Sequence, residues 1–278
     1  MLSSIATPWI LMSFSTWHLL TTVANLTAAG DLGTLLSWEA LKDAWFGSFW
    51  AFQGPRSKSQ AEPWVVPLLE GRVKGGRAYE TASSPPIQGI VLEIGAGSGM
   101  WTEILANTCR AANSASGMIP SKIYGVEPNP ISAAALTRRV AEVGLTGMYE
   151  VLPFGIEHVQ KETSIGPGSV DCIVTIKCLC SIPEPDKNIR LLYEYLKPGG
   201  RWFVYEHVKA ERGLAIPLLQ RFTNVFWEHL MGSCQLCRPT LQSLVKTGDW
   251  ENMDLTTQSN ESSFEMLPHI VGTLTKSS

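Results

Sequence analysis

A chain of 278 residues, 45% of them hydrophobic, is long enough to bury one large core, since single cores remain stable up to roughly 250 to 300 residues. The 22 basic and 25 acidic residues give a net charge of −3, and no run of Lys or Arg occurs. This balance excludes a surface built to follow nucleic-acid phosphates, so no nucleic-acid partner is expected.

Six cysteines are spread through the chain without the spacing of a small disulfide-rich domain: Cys109, Cys172, Cys178, Cys180, Cys234 and Cys237. Such usage is typical of a reducing, intracellular compartment, so free thiols are predicted. Cys234 and Cys237 have the C-x-x-C spacing, but no second Cys or His pair follows at the spacing of a zinc site. We therefore predict no metal site.

Residues 1–30 contain no Lys, Arg, Asp or Glu and are rich in large apolar side chains. The segment lacks the positively charged start of a secretory signal, so export is not expected. Pro8 and many Ser and Thr residues weaken it as a spanning helix. Two interpretations stay open: an anchor that contacts a membrane surface, or helices packed over the mouth of the active site.

The next segment, residues 31–84, is predicted to form a helical lid followed by linkers. Six large side chains recur at helical spacings of three and four: Leu36, Trp38, Leu41, Trp45, Phe49 and Phe52. Such a stripe is typical of a core-facing helix and also of a lid over an apolar pocket. Polar, proline-bounded stretches at 55–63 and 81–89 indicate linkers. The predicted domains are therefore 1–30, 31–84 and a core domain at 85–278.

From residue 85 onward, short β-branched runs alternate with helical runs, as in a parallel sheet with crossover helices. Strands are predicted near 90–95, 122–127, 148–153, 170–176 and 200–206, with a closing pair near 253–258 and 269–275. Helices are predicted near 100–112, 130–143, 186–196 and 213–230. The fold class is α/β and Rossmann-like, with seven mostly parallel strands and an N-terminal helical region. A ligand is expected at the carboxyl edge of the sheet.

A glycine-rich turn follows the first of these strands, in the run Val91-Leu92-Glu93-Ile94-Gly95-Ala96-Gly97-Ser98-Gly99. Glycine lets the backbone approach a ligand, and the helix behind the turn offers free amide donors. The G-x-G-x-G spacing differs from the G-x-G-x-x-G of dinucleotide-binding turns and suits a ligand with a carboxylate tail. Glu93 adds a carboxylate facing this site.

Glu127 ends the second strand, in Gly125-Val126-Glu127-Pro128-Asn129, where an acidic side chain can accept hydrogen bonds from both hydroxyls of a ribose. The interval from the glycine turn is longer than usual because residues 111–121 look inserted, and we expect a surface loop there. Further on, Leu196-Lys197-Pro198-Gly199-Gly200 predicts a tight turn before the strand that starts at Arg201.

In this order the segments LEIGAGSG, GVEPN, SVDCIVTIKCL and LKPGGRWFVYEH resemble class I S-adenosylmethionine-dependent methyltransferases along the whole core. Over residues 88–245 the chain resembles more narrowly the microsomal thiol methyltransferase-like proteins of animals and their fungal relatives. Three features carry this likeness: Leu179-Cys180-Ser181, Glu206-His207-Val208, and the pattern from Trp227 to Leu236. It implies S-adenosylmethionine as cofactor and a small lipophilic acceptor, such as a fungal-type secondary metabolite, methylated on oxygen or sulfur.

The resemblance also implies a place in the cell and roles for individual residues. An N-terminal anchor is typical of those proteins, which favours association with the endoplasmic reticulum membrane through residues 1–30 over a purely cytoplasmic protein. The methionine part of the cofactor would lie against Glu93, Gly95, Ala96, Gly97 and Gly99, the ribose against Glu127 and Pro128, and the adenine against Gly155, Ile156 and Glu157. Lys177, Cys178 and Leu179 would lie where the fourth strand opens toward the methyl group.

A thiol acceptor needs no dedicated base, whereas a base helps with an enolic or phenolic hydroxyl. His207 is the first candidate because the ordinary histidine pKa is about 6.5, and His229 is the second. A role for His207 in orienting Glu206 stays open. Two other functions also stay open: a cyclase that binds the cofactor without consuming it, with Lys177 and His207 as general acids, and an inactive membrane-bound scaffold.

Overall fold

The computed structural model describes residues 2–115 and 120–278, without the side chains of residues 2, 109–115 and 120. A short hairpin, β1 (Val73–Lys74) and β2 (Arg77–Ala78), precedes the main sheet. The strands of that sheet are β3 (Gly89–Ile94), β4 (Pro120–Val126), β5 (Tyr149–Leu152), β6 (Val170–Ile176), β7 (Leu196–His207), β8 (Trp250–Thr257) and β9 (His269–Lys276). Their order is β5-β4-β3-β6-β7-β9-β8, and β9 is antiparallel to both its neighbours while the other pairs are parallel. The predicted α/β fold with seven mostly parallel strands is confirmed.

Among the described residues, three helices precede the main sheet along the chain, and six more lie between its strands. The N-terminal helices are α1 (Leu2–Ala29), α2 (Leu32–Leu36) and α3 (Trp38–Leu69). Those that follow are α4 (Thr102–Ala115), α5 (Pro130–Glu142), α6 (Val159–Glu162), α7 (Pro185–Tyr195), α8 (Ala215–Leu230) and α9 (Thr240–Lys246). A single turn of 3-10 helix at Ile156–His158 follows β5. The predicted crossover helices are therefore present, with their ends displaced by a few residues.

The surface loop predicted at 111–121 is wrong at both of its ends. Helix α4 continues to Ala115 and β4 already begins at Pro120, while residues 116–119 lie outside the described residues. Three alanines, at positions 111, 112 and 115, favour continuation of the helix because alanine has the highest helix propensity.

The tight turn predicted at 196–200 lies inside strand β7 instead of before it. Leu196 pairs with Val170, and pairing resumes between Arg201 and Cys172, so the residues between them bulge out of the ladder. Gly199 keeps a φ of 72°, the left-handed conformation that a turn requires. The local turn chemistry was therefore predicted, but the continuation of the strand on both sides of it was not.

The polar stretch at 55–63, predicted as a linker, is part of the continuous helix α3, which contains Pro55, Pro63 and Pro67. A proline inside a helix costs about 3 kcal/mol because it removes a hydrogen bond and crowds the preceding turn. Burial offsets this cost, since the second half of α3 places four side chains in the same core cluster as β3: Ala61, Val65, Leu68 and Leu69. Tertiary packing thus overrides the local signal.

The N-terminal helices pack on one another and on α8. The Trp45 indole Nε1 donates to the Ser15 carbonyl at 2.7 Å, and the Ser15 hydroxyl donates to the Leu230 carbonyl. Phe49, which is fully buried, lies in one cluster with Met12 and Trp227. Within the described ranges 2–115 and 120–278, no helix is both long and apolar enough to cross a membrane. The boundaries predicted at residues 30 and 84 stay predictions.

Candidate functional site

The glycine turn lies at the carboxyl end of β3, and two of its glycines serve different purposes. Gly95 has a φ of 67°, and a Cβ there would lie 2.4 Å from the Cβ of Cys178, so this glycine allows two chain segments to touch. Gly97 has a φ of 58°, and the nearest atom to a Cβ built there is the Gly95 carbonyl oxygen at 4.0 Å. Gly97 therefore faces open space of the kind that a ligand occupies, while Ala96, buried behind it, donates its N–H to the Val126 carbonyl.

Glu127, at the end of β4, holds the glycine turn from the side. Its Oε2 accepts from the Gly97 N–H at 2.8 Å, and its Oε1 accepts from the Asn129 N–H at 2.9 Å. Burial raises the pKa of Glu127, although these two hydrogen bonds act in the opposite direction. A carboxylate has about four acceptor positions, so two hydroxyls can still donate to it. The structure thus brings Glu127 and Gly97 together in a form that fits a ribose beside an open backbone turn.

Glu93 lies within β3 and is almost fully buried. Its Oε2 accepts from the Tyr149 hydroxyl at 2.5 Å, and burial raises the pKa of Glu93 to about 7. Gly125 makes room for this contact, because a Cβ at Gly125 would lie 2.1 Å from the Tyr149 hydroxyl oxygen. Sequence reasoning missed Tyr149, although the glycine of the GVEPN segment was a signal that something approaches the strand closely.

The residues predicted for the ribose and adenine lie side by side at the ends of β4 and β5. Pro128 is exposed beside Glu127, and Gly155 begins the 3-10 turn that follows β5. Ile156 is buried, and the Glu157 side chain is exposed, 3.8 Å from the His158 ring nitrogen. Because β4 and β5 are neighbouring parallel strands, both sets of residues meet at one edge of the sheet. Their individual contacts with an adenine stay predictions.

The turn after β6 is fixed by Glu206, the buried penultimate residue of β7. Its Oε1 accepts from the Cys178 N–H at 3.0 Å and from the Leu179 N–H at 3.1 Å. Burial raises the pKa of Glu206, against the effect of these hydrogen bonds. The Cys178 thiol donates to the same Oε1 at 3.4 Å, so in the part of the chain described Glu206 bonds to the β6 turn and not to His207. Since Cys178 also touches Gly95, Glu206 sets the position of this turn against the glycine turn.

Lys177 lies at the same place and extends toward helix α3. Its backbone has an unusual φ of 53°, and its Nζ donates to the Ser57 hydroxyl at 3.1 Å and lies 5.7 Å from the centre of the Tyr205 ring. Burial lowers the pKa of Lys177 to about 8. Ser57 was missed because it falls in the stretch predicted as a linker. The Lys177–Ser57 hydrogen bond joins helix α3 to the end of β6, and a lid role for residues 31–84 stays a prediction.

His207 ends β7 and lies in a cluster of two thiols that the sequence did not reveal. Its Nε2 is 3.1 Å from the Cys234 sulfur, and the side-chain ligand atoms of Cys180, His207 and Cys234 all lie within 4.8 Å of one another. The Cys237 sulfur is not part of this cluster and lies 3.9 Å from the Gln220 Oε1. The prediction of no metal considered only the C-x-x-C pair, whereas Cys180 comes from a distant part of the chain.

The protonation of this cluster reflects its internal contacts. Burial would lower the pKa of His207, but the adjacent Cys180 and Glu206 side chains favour the charged ring and the net shift is upward. A hydrogen bond from the Cys180 thiol lowers the pKa of Cys234 and raises that of Cys180 well above its usual value. The described cysteines, which exclude Cys109, are free thiols as predicted.

His229 is not brought to the site. Its side chain is 75% exposed on α8, and its Nε2 lies 3.7 Å from the Glu228 carboxylate. His229 follows Trp227 by two residues, about half a helical turn, so the two side chains lie on opposite sides of α8. Trp227 packs in the cluster with Phe49, and His229 faces solvent. The choice of His229 as a second base is therefore corrected.

Comparison with known proteins gives consistent results. The family described as a methyltransferase domain matches residues 72–253. The thiol S-methyltransferase TMT1B of Rattus norvegicus is 30% identical over a match that covers 56% of this chain and 58% of that protein. The TMT1B of Homo sapiens is 27% identical over a match that covers 80% of this chain and 82% of that protein.

Among solved structures, the [4+2]-cyclase SpnF has a TM-score of 0.53 at 18% identity, covering 78% of this chain and 82% of that one. The trans-methyltransferase CalH, in complex with SAH, has a TM-score of 0.53 at 17% identity, covering 95% of this chain and 67% of that one. At these identities the two structures show that the fold is shared.

The family match spans well over half of the chain and includes every strand-end residue described above. The open space at Gly97 and the remaining acceptor positions of Glu127 fit the methionine and ribose parts of S-adenosylmethionine. The protein belongs to the methyltransferase domain family and is a class I S-adenosylmethionine-dependent methyltransferase, distantly related to the thiol S-methyltransferases TMT1A and TMT1B.

Proposed function

We propose that this methyltransferase transfers the methyl group to the sulfur of a small lipophilic thiol. The observation that carries the proposal is the placement of Lys177, which directly precedes the residue that touches Gly95 and whose amine donates to the Ser57 hydroxyl on helix α3. The names of the relatives, which are thiol S-methyltransferases, support the same acceptor class. An uncharged acceptor would enter between α3 and the ends of β6 and β7, where aromatic side chains are abundant.

The chain's own residues position the reactants and receive a proton. Gly97 and Glu127 hold the cofactor, which supplies a methyl group on a positively charged sulfur when bound. Methyl transfer depends mainly on placing the nucleophile in line behind that carbon. Glu206 contributes by fixing the β6 turn, and Lys177 takes the proton of the acceptor.

The chemistry of Lys177 favours sulfur over oxygen. A thiol with an ordinary pKa of about 8.5 can pass its proton to an amine of pKa about 8 at little cost. A phenol with a pKa of about 10 would lose its proton to the same amine at a cost about 2 kcal/mol higher. The pKa of the Lys177 amine is therefore closer to that of a thiol than to that of a phenol, which favours a thiol acceptor.

The experiment pairs each thiol with the hydroxyl compound of the same carbon skeleton, such as thiophenol with phenol and benzyl mercaptan with benzyl alcohol. With methyl-labelled S-adenosylmethionine, we expect labelled thioethers by mass spectrometry and rates that rise with pH through about 8, because the amine must be neutral to accept a proton. Lys177→Met should lower kcat by roughly 100-fold while cofactor affinity is kept. The control is Lys187→Met, whose side chain is 67% exposed beside Glu184. Label on the hydroxyl members alone would refute a thiol acceptor.

We also propose that the protein contacts a membrane surface through α1 and α8. Large apolar side chains are exposed on these helices: Trp9, Ile10, Phe14, Trp17 and Leu20 on α1, and Leu218, Phe222, Val225 and Phe226 on α8. The Trp9 ring lies 6.2 Å from Phe222 and 5.9 Å from Phe226, so the two sets are continuous. The α1 part of this surface is uncharged and bears two tryptophans, and such a surface is suited to the boundary between headgroups and acyl chains.

Vesicle binding tests this surface. The double variant Trp17→Ser with Phe222→Ser should partition roughly 30-fold less into phosphatidylcholine vesicles, at about 1 kcal/mol for each half-exposed ring. The matched control is the double variant Tyr79→Ser with Phe264→Ser, which removes rings of 48% and 44% exposure from elsewhere on the surface. A dimer that hides the α1 and α8 side chains, together with no vesicle binding, would contradict the proposal.

A further inference from the structure

Two thiols and one imidazole converge from three separate parts of the chain. Cys180 lies in the turn after β6, His207 is the last residue of β7, and Cys234 lies in the loop after α8. Their ligand atoms are all within 4.8 Å of one another, and the His207 Nε2 is 3.1 Å from the Cys234 sulfur. Cys180 and His207 are buried, while Cys234 is only partly covered. The cluster is therefore closed on one side and accessible on the other.

Hydrogen bonds to the backbone hold this cluster in place. The Gln235 N–H donates to the Cys180 carbonyl at 3.0 Å, which joins the loop after α8 to the turn after β6. The Arg238 guanidinium donates to the Leu179 and Ile182 carbonyls, both at 2.7 Å, on either side of Cys180. Such a supporting shell positions ligands before the ion arrives.

A tetrahedral ion needs ligand atoms slightly farther apart than the 3.1 Å between the His207 Nε2 and the Cys234 sulfur, and well within the 4.8 Å that bounds all three. With Zn–S distances of about 2.3 Å and Zn–N distances of about 2.0 Å, tetrahedral ligands lie roughly 3.5 to 3.8 Å apart. Two thiolates and one imidazole are a ligand set that zinc prefers, and three protein ligands leave a fourth position open. We propose that Cys180, His207 and Cys234 bind a zinc ion whose open position receives the sulfur of the acceptor.

This inference rests on the proposed thiol acceptor for its function, but not for the binding of the ion. Zinc displaces the protons of the two cysteine thiols on binding. An acceptor R–SH that takes the fourth position would pass its proton to solvent and remain on the ion as a thiolate. The cluster lies one strand from the glycine turn, because Cys178 touches Gly95 two residues before Cys180. A thiolate on the ion would then lie near a cofactor bound at the glycine turn.

The test uses the full chain, purified under reducing conditions. Metal analysis should find about one zinc per chain, and replacement by Co²⁺ should give the intense visible and thiolate-to-cobalt absorption bands of tetrahedral coordination. Cys180→Ala and Cys234→Ala should each weaken cobalt binding by at least about 100-fold. Cys237→Ala is the matched control, since it lies in the same loop outside the cluster and should keep the bands. Adding an excess of benzyl mercaptan should shift the bands in the wild-type chain.

Several results would overturn the assignment. These are absence of the cobalt bands in the wild-type chain, their persistence in Cys180→Ala, or a Cys180–Cys234 disulfide that re-forms in preference to metal uptake. Cofactor affinity measured on the same variants reports whether they fold. Zinc binding without thiol methylation would refute the proposed thiol acceptor, while the zinc site would stand. Full thiol methylation by the zinc-free chain would refute the role of the zinc site in binding the acceptor, while the thiol acceptor would stand.

Discussion

We expect Gly97→Val to raise the Kd for S-adenosylmethionine at least about 100-fold in calorimetry and to leave the protein folded. The reason is that the space at Gly97 contains no protein atom within 4 Å other than the Gly95 carbonyl oxygen, so the new side chain fills space that the cofactor needs. The positive φ of 58° adds a cost of roughly 1 to 2 kcal/mol to folding, which lowers Tm by only a few degrees in a chain of this size.

Two matched variants separate the ligand effect from the backbone effect. Gly168→Val introduces the same side chain at a φ of 63° with nothing within 4 Å, so it should lose the same stability and keep cofactor affinity. Gly95→Val should instead lower Tm much further, because its Cβ would lie 2.4 Å from that of Cys178. Equal cofactor affinity in Gly97→Val and Gly168→Val would show that the turn does not bind the cofactor.

These three glycines also show what a sequence can reveal. The run from Val91 to Gly99 predicted a strand, a turn and a helix, because apolar runs and glycine act locally. It did not distinguish Gly95 from Gly97, since that difference depends on Cys178, which approaches from another strand. The local sequence predicts that a turn exists, whereas only the structure identifies the residues that pack against it.

The same distinction explains the two larger misses. Helix α3 continues through Pro55 and Pro63 because its far end is buried against the sheet, an energy that no local window contains. The cluster of Cys180, His207 and Cys234 depends on the path of the loop after α8, which Arg238 fastens to the turn after β6. The ends of β3, β4 and β6 were predictable because parallel strands place their carboxyl ends at one edge.

Glu127→Ala is expected to raise the Kd for S-adenosylmethionine by roughly 100-fold or more. Each hydrogen bond from a ribose hydroxyl to a carboxylate contributes about 1.5 to 3 kcal/mol, and two are lost. The variant also leaves the Gly97 and Asn129 amides without their acceptor, so the turn itself loosens. Glu127→Gln should rescue little, because its amide nitrogen is a donor that would face one of these two N–H groups. The control is Glu150→Gln on β5, whose 48% exposed carboxylate pairs with Lys122.

A ligand lacking the ribose hydroxyls isolates the contact itself. The 2′,3′-dideoxy analogue should bind the wild-type chain more weakly than S-adenosylmethionine by nearly the factor that Glu127→Ala causes. In Glu127→Ala the two ligands should bind alike, since the partner of the hydroxyls is gone. If the variant still discriminates between them as the wild type does, the hydroxyls bond elsewhere and Glu127 acts only by shaping the glycine turn through Gly97. Binding the hydroxyls and shaping the turn predict different ratios of the two Kd values in Glu127→Ala, because only the first role involves the ligand's oxygen atoms.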